Sequence, residues 1–439
     1  MTTLPRILVL GASGLIGSFI AADLARRECP VIAAARRFTQ AQRASFSAVR
    51  EIPIARLDAA ALARLLQEAD VVVNCLGVLQ DNAADSTKNI HLDFVVRIIT
   101  ALRAVARPVL LVHVSIPGAA ADDHTNFSRS KRSAEHAIVQ SGLPYAILCP
   151  GFVLAPGAYG GSALLRAIAV LPFTLPKALA SRPFASVAVE DIADTIAVLA
   201  QCWRQPDPHH AAIWDLMHPG RTALGEVAAR LRIWLGDTWP LRIPLPMVLL
   251  TLGAKLGDLA AWLGWRPPLR STALAELQRG VTGNPRPWME ATGITPRALD
   301  DVLRTRPITI QDKWFARLYL LKALIVATLV VFWCASALIA LTVAYPAAVA
   351  ILTAHGFAEG PARFMTVAGS VMDFSVGVAI AFRRTSAYGL VAGIAVSLFY
   401  LLAAAILTPN LWIEPLGALV KTGPAVVLML AALAIMDDR

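Results

Sequence analysis

Residues Ile7 to Gly17 read ILVLGASGLIG, an apolar run that ends in three glycines spaced three apart, Gly11, Gly14 and Gly17. Such a run is a buried parallel strand turning into a helix. The glycines make the turn tight, let the backbone approach a pyrophosphate and let the helix pack close to the sheet. The free N–H groups that open the helix then face the phosphates. The spacing differs from G-x-G-x-x-G, and a glycine-rich turn in an ordinary α/β domain is the plainer alternative. The position of the motif, directly after the first strand, favours nucleotide binding. The expected cradle is Gly11, Ser13, Gly14, Leu15, Ile16 and Gly17.

A helix from about Leu15 to Arg27 leads to a second apolar strand, Val31 to Ala35, which ends in Arg36 and Arg37. An acid there would accept hydrogen bonds from a ribose 2′-hydroxyl, whereas an arginine accommodates a 2′-phosphate. Two arginines and no acid favour NADP(H) over NAD(H). Ile52 to Ala55 reads as a third strand, and Val71 to Leu76 as a fourth that leaves at Gly77. Asp58 either bonds the adenine amino group or caps a helix at Ala60 to Glu68. There follow a helix from about Asp85 to Ala106, a strand Val109 to Val114 ending at Ser115, a polar loop Ala121 to Asn126, a helix Phe127 to Ser141 and a strand Tyr145 to Leu148. The expected fold is an α/β Rossmann core, a doubly wound parallel sheet, over residues 1–155, completed by a small substrate lobe and linker over 156–311.

These pieces resemble an extended or atypical short-chain dehydrogenase/reductase, the epimerase-like group that includes the NADPH-binding accessory subunit of respiratory complex I. The resemblance rests on GASGLIG at Gly11 to Gly17, VNCLG at Val73 to Gly77, HVS at His113 to Ser115, FSRSK at Phe127 to Lys131, and CPGFVLAPG at Cys149 to Gly157. It continues more weakly through FASVAVEDIAD at Phe184 to Asp194. It implies that Ser115 orients a substrate carbonyl and that Lys131 binds the nicotinamide ribose. The family's general acid and base is a tyrosine four residues before that lysine, on the same helix face. Here that residue is Phe127, and a benzene ring cannot give or take a proton. The arginine usual before Pro150 and Gly151 is also missing. His113, His124 and Tyr159 are the substitutes to consider; a satisfied core histidine and an idle loop histidine are the plainer readings of the first two.

The hydrophobic fraction of 56% with only 16% charged residues exceeds what a soluble chain of 439 residues carries, so part of it belongs in lipid. Four apolar runs follow Trp314: Leu318 to Ala344, Phe364 to Phe382, Tyr388 to Leu407 and Leu416 to Met436. Each is near the roughly 20 residues that cross a bilayer. The expectation is an all-α domain of four transmembrane helices over 312–439. It resembles the DoxX-like family through WCASALIAL at Trp333 to Leu341, the LTAHGF stretch after it and PNLWIEPLGALVKTGP at Pro409 to Pro424. Some relatives of that family are linked to quinone reduction. Within the runs, Asp373 lies about midway along the second and needs a polar partner, while Lys322 and Lys421 are placed to snorkel. The loop Arg383 to Ser386 is the most basic short loop, so by the positive-inside rule it faces the cytoplasm with the Rossmann domain and the C-terminus. The opposite loops carry His355, Glu359, Trp412, Glu414 and Lys421. Ile243 to Trp265, apolar but interrupted by Lys255 and Asp258, is either an interfacial helix or a buried helix of the lobe.

A formal charge of +10 invites a nucleic-acid partner, but the basic residues are scattered and lack an aromatic-interleaved patch, so nucleic acid is not expected. Membrane lipid is the better partner, approached by Arg304, Arg306, Lys313 and Arg317. The five cysteines, Cys29, Cys75, Cys149, Cys202 and Cys334, form no C-x-x-C pair and read as core residues of a reducing compartment. The N-terminus has no signal-peptide pattern, so the first domain is expected in the cytoplasm, on the inner membrane. The functional expectation is an NADP(H)-binding oxidoreductase or epimerase-like enzyme acting on a membrane-borne apolar substrate such as a quinone or an isoprenoid. The alternative is a non-catalytic nucleotide-binding assembly or sensor protein.

Overall fold

The computed structural model describes residues 4–81, 86–207, 209–237, 242–413 and 419–437. It divides into one unit of Met1–Asp258 with Pro268–Ala316, and a second of Leu259–Pro267 with Arg317–Arg439. Asp85, Glu414, the start of the fourth apolar run at Leu416 and the last two residues lie outside the described residues.

In the first unit the apolar runs become β1 (Ile7–Leu10), β2 (Val31–Ala35), β3 (Ala48–Glu51), β4 (Val71–Asn74), β5 (Leu110–Val114), β6 (Tyr145–Pro150) and β7 (Ala211–Leu216). They form one parallel sheet in the order β7-β6-β5-β4-β1-β2-β3. From β1 the chain winds outward to β3 and then returns to β4 beside β1, so the order reverses between β1 and β4. Ligands of open α/β sheets bind at such a reversal, outside the carboxyl ends of the strands. The inner strands are buried on both faces, as continuous Val, Ile and Leu runs require.

The third strand ends where the sequence reading began it. Ile52 N–H still reaches Ala35 O at 2.9 Å, but Pro53 has no N–H to continue the ladder, and Ile54–Arg56 turns into a 3₁₀ helix. The sheet also draws on residues beyond 155. β7 joins the edge beside β6, and the helix Val189–Cys202 packs on the helix Leu15–Arg26. The VEDIAD segment is a structural clasp: Glu190 pairs with Arg306 at 2.7 Å, Asp191 accepts from Arg297, and Asp194 pairs with Arg27 at 2.5 Å. Trp288, fully buried, closes this side of the core and donates its indole N–H to Thr195 at 2.9 Å. The lobe has a separate apolar core that includes Leu165, Leu179, Leu231, Leu250 and Val302.

Among the described residues three helices, lying chiefly in the second unit, are long and apolar enough to cross a membrane: Ile310–Leu341, Glu359–Ala381 and Ser386–Leu407. The fourth run contributes Thr422–Ala434, a helix of 13 described residues. Trp333, Val376, Ile380, Leu390 and Met429 form the apolar centre of this unit. At one end of the helices Lys322 donates to Met436 O at 2.9 Å, and Arg383 donates to the same carbonyl at 3.2 Å. Lys322 therefore has a defined acceptor at a helix C-terminus, where a cation is favoured. The 20 residues from Lys322 to Leu341 make about 30 Å of helix, the thickness of the hydrocarbon core. Asp373 finds its partner in Tyr400, which donates to Oδ1 at 2.9 Å across two helices.

Candidate active site

The glycine turn lies at the carboxyl end of β1, beside the reversal in strand order. Gly11 has φ +82°, a left-handed conformation that strains any side chain, and donates to Ala34 O at 2.9 Å. A Cβ on Gly17 would run into the Gly11 carbonyl oxygen, so only glycine lets the helix lie this close to the turn. Gly14 is the N-cap of Leu15–Arg26, with no side-chain cap and no acid in the first turn. By contrast, Asp58 and Thr125 cap their own helices with side-chain oxygens. The N–H groups opening the Leu15 helix have no intrahelical acceptor, and the helix dipole is positive at that end. Ser13, Leu15 and Ile16 stand in this turn. The pyrophosphate of a dinucleotide fits such a cradle.

Arg36 and Arg37 are exposed at the end of β2. Glu51, paired in register with Ala35, brings an acid near this edge that the sequence order concealed. Its carboxylate is already engaged: Phe38 N–H at 2.8 Å, with Arg43 and Arg37, holds it below the usual carboxylate range. Asp58 accepts from Ala61 N–H at 2.7 Å through Oδ1, the capping role that the sequence offered for it.

Gly77, Lys131, Phe127 and a residue without a sequence signal, His91, come together at the end of β4. A Cβ on Gly77 would sit 3.7 Å from both Lys131 Nζ and His91 Nε2. Lys131 is buried and donates to Val114 O at 2.8 Å, and burial pushes its ammonium down to about 8. The Phe127 ring meets His91 edge-on, with centroids 5.4 Å apart. His91 Nε2 accepts from Val78 N–H at 3.1 Å, so its proton is on Nδ1, which donates to Ser130 Oγ at 2.8 Å. Burial pushes His91 down to about 2. A neutral imidazole with both nitrogens engaged does not replace the missing phenol.

Ser115, at the end of β5, donates its hydroxyl to Glu135. Glu135 is one helical turn beyond Lys131, on the same face, and nothing in the motif marks it. Arg132 binds the same carboxylate at 2.9 Å and also binds Asp123 at 2.9 Å, while Arg279 closes the far side of Asp123 at 2.8 Å. A serine whose proton is given to a carboxylate has its oxygen lone pairs available to accept. Such an oxygen is able to take a proton from a substrate hydroxyl as its own passes to Glu135.

The other candidates are placed differently. His113 is fully buried in β5, where Nδ1 meets Asn74 at 3.1 Å and burial holds the ring neutral. His124 and Tyr159 are exposed.

Residues 11–200 match the family model described as NAD(P)H-binding, and residues 330–430 match the DoxX-like family. The chain joins an NAD(P)H-binding domain to a DoxX-like domain. No curated protein matches it. Among solved structures it is similar to UDP-glucuronic acid 4-epimerase from Bacillus cereus in complex with UDP-glucuronic acid and NAD, at 14% identity over 72% of this chain and 100% of that one, with a TM-score of 0.51. It is also similar to the enzyme WbmF of Bordetella bronchiseptica in complex with NAD+, at 17% identity over 70% and 92% of the two chains, with a TM-score of 0.51. These likenesses establish the Rossmann fold.

Proposed function

We propose that this protein is a membrane-tethered oxidoreductase or epimerase-like enzyme that prefers NADP(H) and acts on a membrane-borne apolar substrate, such as a quinone or an isoprenoid, at a hydroxyl or carbonyl carbon. The observation that carries this reading is the Ser115 to Glu135 hydrogen bond beside Lys131. The glycine turn and Lys131 would hold the dinucleotide, which when bound supplies a hydride acceptor or donor. In the oxidising direction the substrate hydroxyl gives its proton to Ser115 Oγ as Ser115 gives its own to Glu135. Arg132 steadies the carboxylate, and Lys131 holds positive charge near the forming carbonyl. Arg36 and Arg37 favour the 2′-phosphate form of the cofactor. The membrane domain raises the concentration of enzyme near a lipid-soluble substrate, and the fourth apolar run completes a four-helix span.

The second reading, a non-catalytic NADP(H)-binding assembly or sensor protein, is favoured by Phe127. One experiment separates the two. The full chain, purified in mild detergent, should carry or bind NADPH and oxidise it when a quinone is added. Glu135→Gln should lower that turnover by about 10² to 10⁴ without weakening nucleotide binding. Tight NADPH binding with no turnover on any quinone or polyprenyl substrate would select the second reading. Absence of binding would end both.

A further inference from the structure

The helix Met247–Trp262 is apolar on both of its faces. Leu250, Ala254 and Gly257 are buried on one face. Val248, Leu249, Leu252, Leu256, Leu259 and Trp262 stand exposed on the opposite one, within an arc of about 140° at 100° per residue. Val248 is 75% exposed and Trp262 78%, values that water tolerates poorly in a stripe whose arc holds a single charge, Lys255. Asp258, the single acid of this helix, is turned away and held by Arg270 at 3.0 Å and by Ser271 at 2.5 Å. The exposed charges on and around this face are basic: Arg242 before the helix, Lys255 within the stripe and Arg266 after it.

The end of this helix has a defined place within the second unit. Trp265 donates its indole N–H to Ala381 O, the last residue of a membrane-length helix, at 2.7 Å. Arg383 N–H donates to Leu263 O at 3.1 Å, and the Arg383 guanidinium lies over the Trp265 ring at 5.5 Å. Ala381 is where the second span ends, so Leu263 and Trp265 stand at the depth of the headgroups. Trp is the residue that favours this depth.

We propose that the bare face of Met247–Trp262 lies in the headgroup boundary of the bilayer and binds anionic lipid, making this helix an interfacial anchor separate from the transmembrane spans. The apolar stripe enters the acyl boundary, while Lys255 extends its ammonium along the stripe toward the phosphates. The occupant is lipid because the helix end is bonded to the rim of a span and its exposed charges are all of one sign.

The test uses the full chain in vesicles of phosphatidylethanolamine and phosphatidylglycerol, with photoreactive benzoylphenylalanine in place of Leu252, Leu256 or, as control, Gln140. After irradiation, mass spectrometry should find lipid adducts at Leu252 and Leu256 several-fold above Gln140, falling when phosphatidylglycerol is omitted. Adducts of twice the chain mass would mean that a second copy covers the face, and would overturn the proposal. Yields equal to Gln140 would place the stripe in water and overturn it equally. Because the probed positions are exposed, the fold is retained; an unchanged thermal unfolding midpoint checks this, and Leu259 serves as an alternative position if Leu252 disturbs it.

Discussion

Lys131 is held as a buried ammonium with Val114 O as acceptor, and this has a measurable cost. An ordinary lysine titrates near 10.5 and this one at about 8, so the folded chain binds fewer protons than the unfolded chain between those values. Stability therefore rises with pH across that window. The penalty is fully present below about pH 8, on the order of 3 kcal/mol, and is relieved toward pH 10.5. Lys131→Met should raise the thermal midpoint in detergent at pH 7, and the difference from wild type should shrink as pH approaches 10.5. The same variant should bind dinucleotide more weakly in calorimetry. A stability penalty coupled to a binding gain marks a functional lysine. Phe127 belongs to the same account: Phe127→Tyr restores a phenol one turn before Lys131 and should add carbonyl reductase activity measurable as NADPH consumption, whereas the wild type should turn over small aldehydes and ketones poorly. The sequence displayed Lys131, Ser115 and the departure at Phe127, because motif spacing on a helix is local. It did not display Glu135 or His91, since their parts depend on which side chains β4, β5 and one helix bring face to face.

At the level of elements, close approach controls the cofactor edge. Adding one methyl by Gly17→Ala forces the helix Leu15–Arg26 off the Gly11 carbonyl, and overpacking of this kind costs about 1–3 kcal/mol. The variant should show both a lower unfolding midpoint and loss of NADPH binding. Trp288→Ala, at the other side of the same core, should cost about 3–5 kcal/mol and leave the cradle residues in place. Strands β1, β2, β4, β5 and β6 were legible because buried parallel strands are continuous apolar runs. β3 was shifted because Pro53, read as part of the strand, sits just past its end. β7 was missed because a strand far along the chain, AAIWDL, alternates in burial at the sheet edge and returns to the core only through the intervening lobe.

For the whole molecule, the rim where Lys322, Arg383 and Met436 meet fixes which helix ends share a side. If that side is the cytoplasm, reporter fusions after Ser386 and after Arg439 should read as internal and one at Gly360 as external. An internal signal at Gly360 would mean that Ile310–Leu341 does not cross. The opposition of apolar runs to a basic loop was readable from sequence, but the shared rim was not, since it joins residues more than fifty positions apart. One pairing inside this domain bears on how the protein is made. Glu359–Ala381 is the least apolar of the three long helices, with mean hydropathy 1.6 against 2.6 and 2.5, and it carries Asp373. An aspartate at the centre of a lone helix costs about 2.5–3.5 kcal/mol on entry to the bilayer. Tyr400, on the helix that follows after a short loop, answers that carboxyl group. The two segments are therefore expected to leave the translocon as a single hairpin, the later one carrying the solvation that the earlier one needs. In a glycosylation-mapped insertion assay, Tyr400→Phe should reduce entry of Glu359–Ala381 while its own helix still inserts.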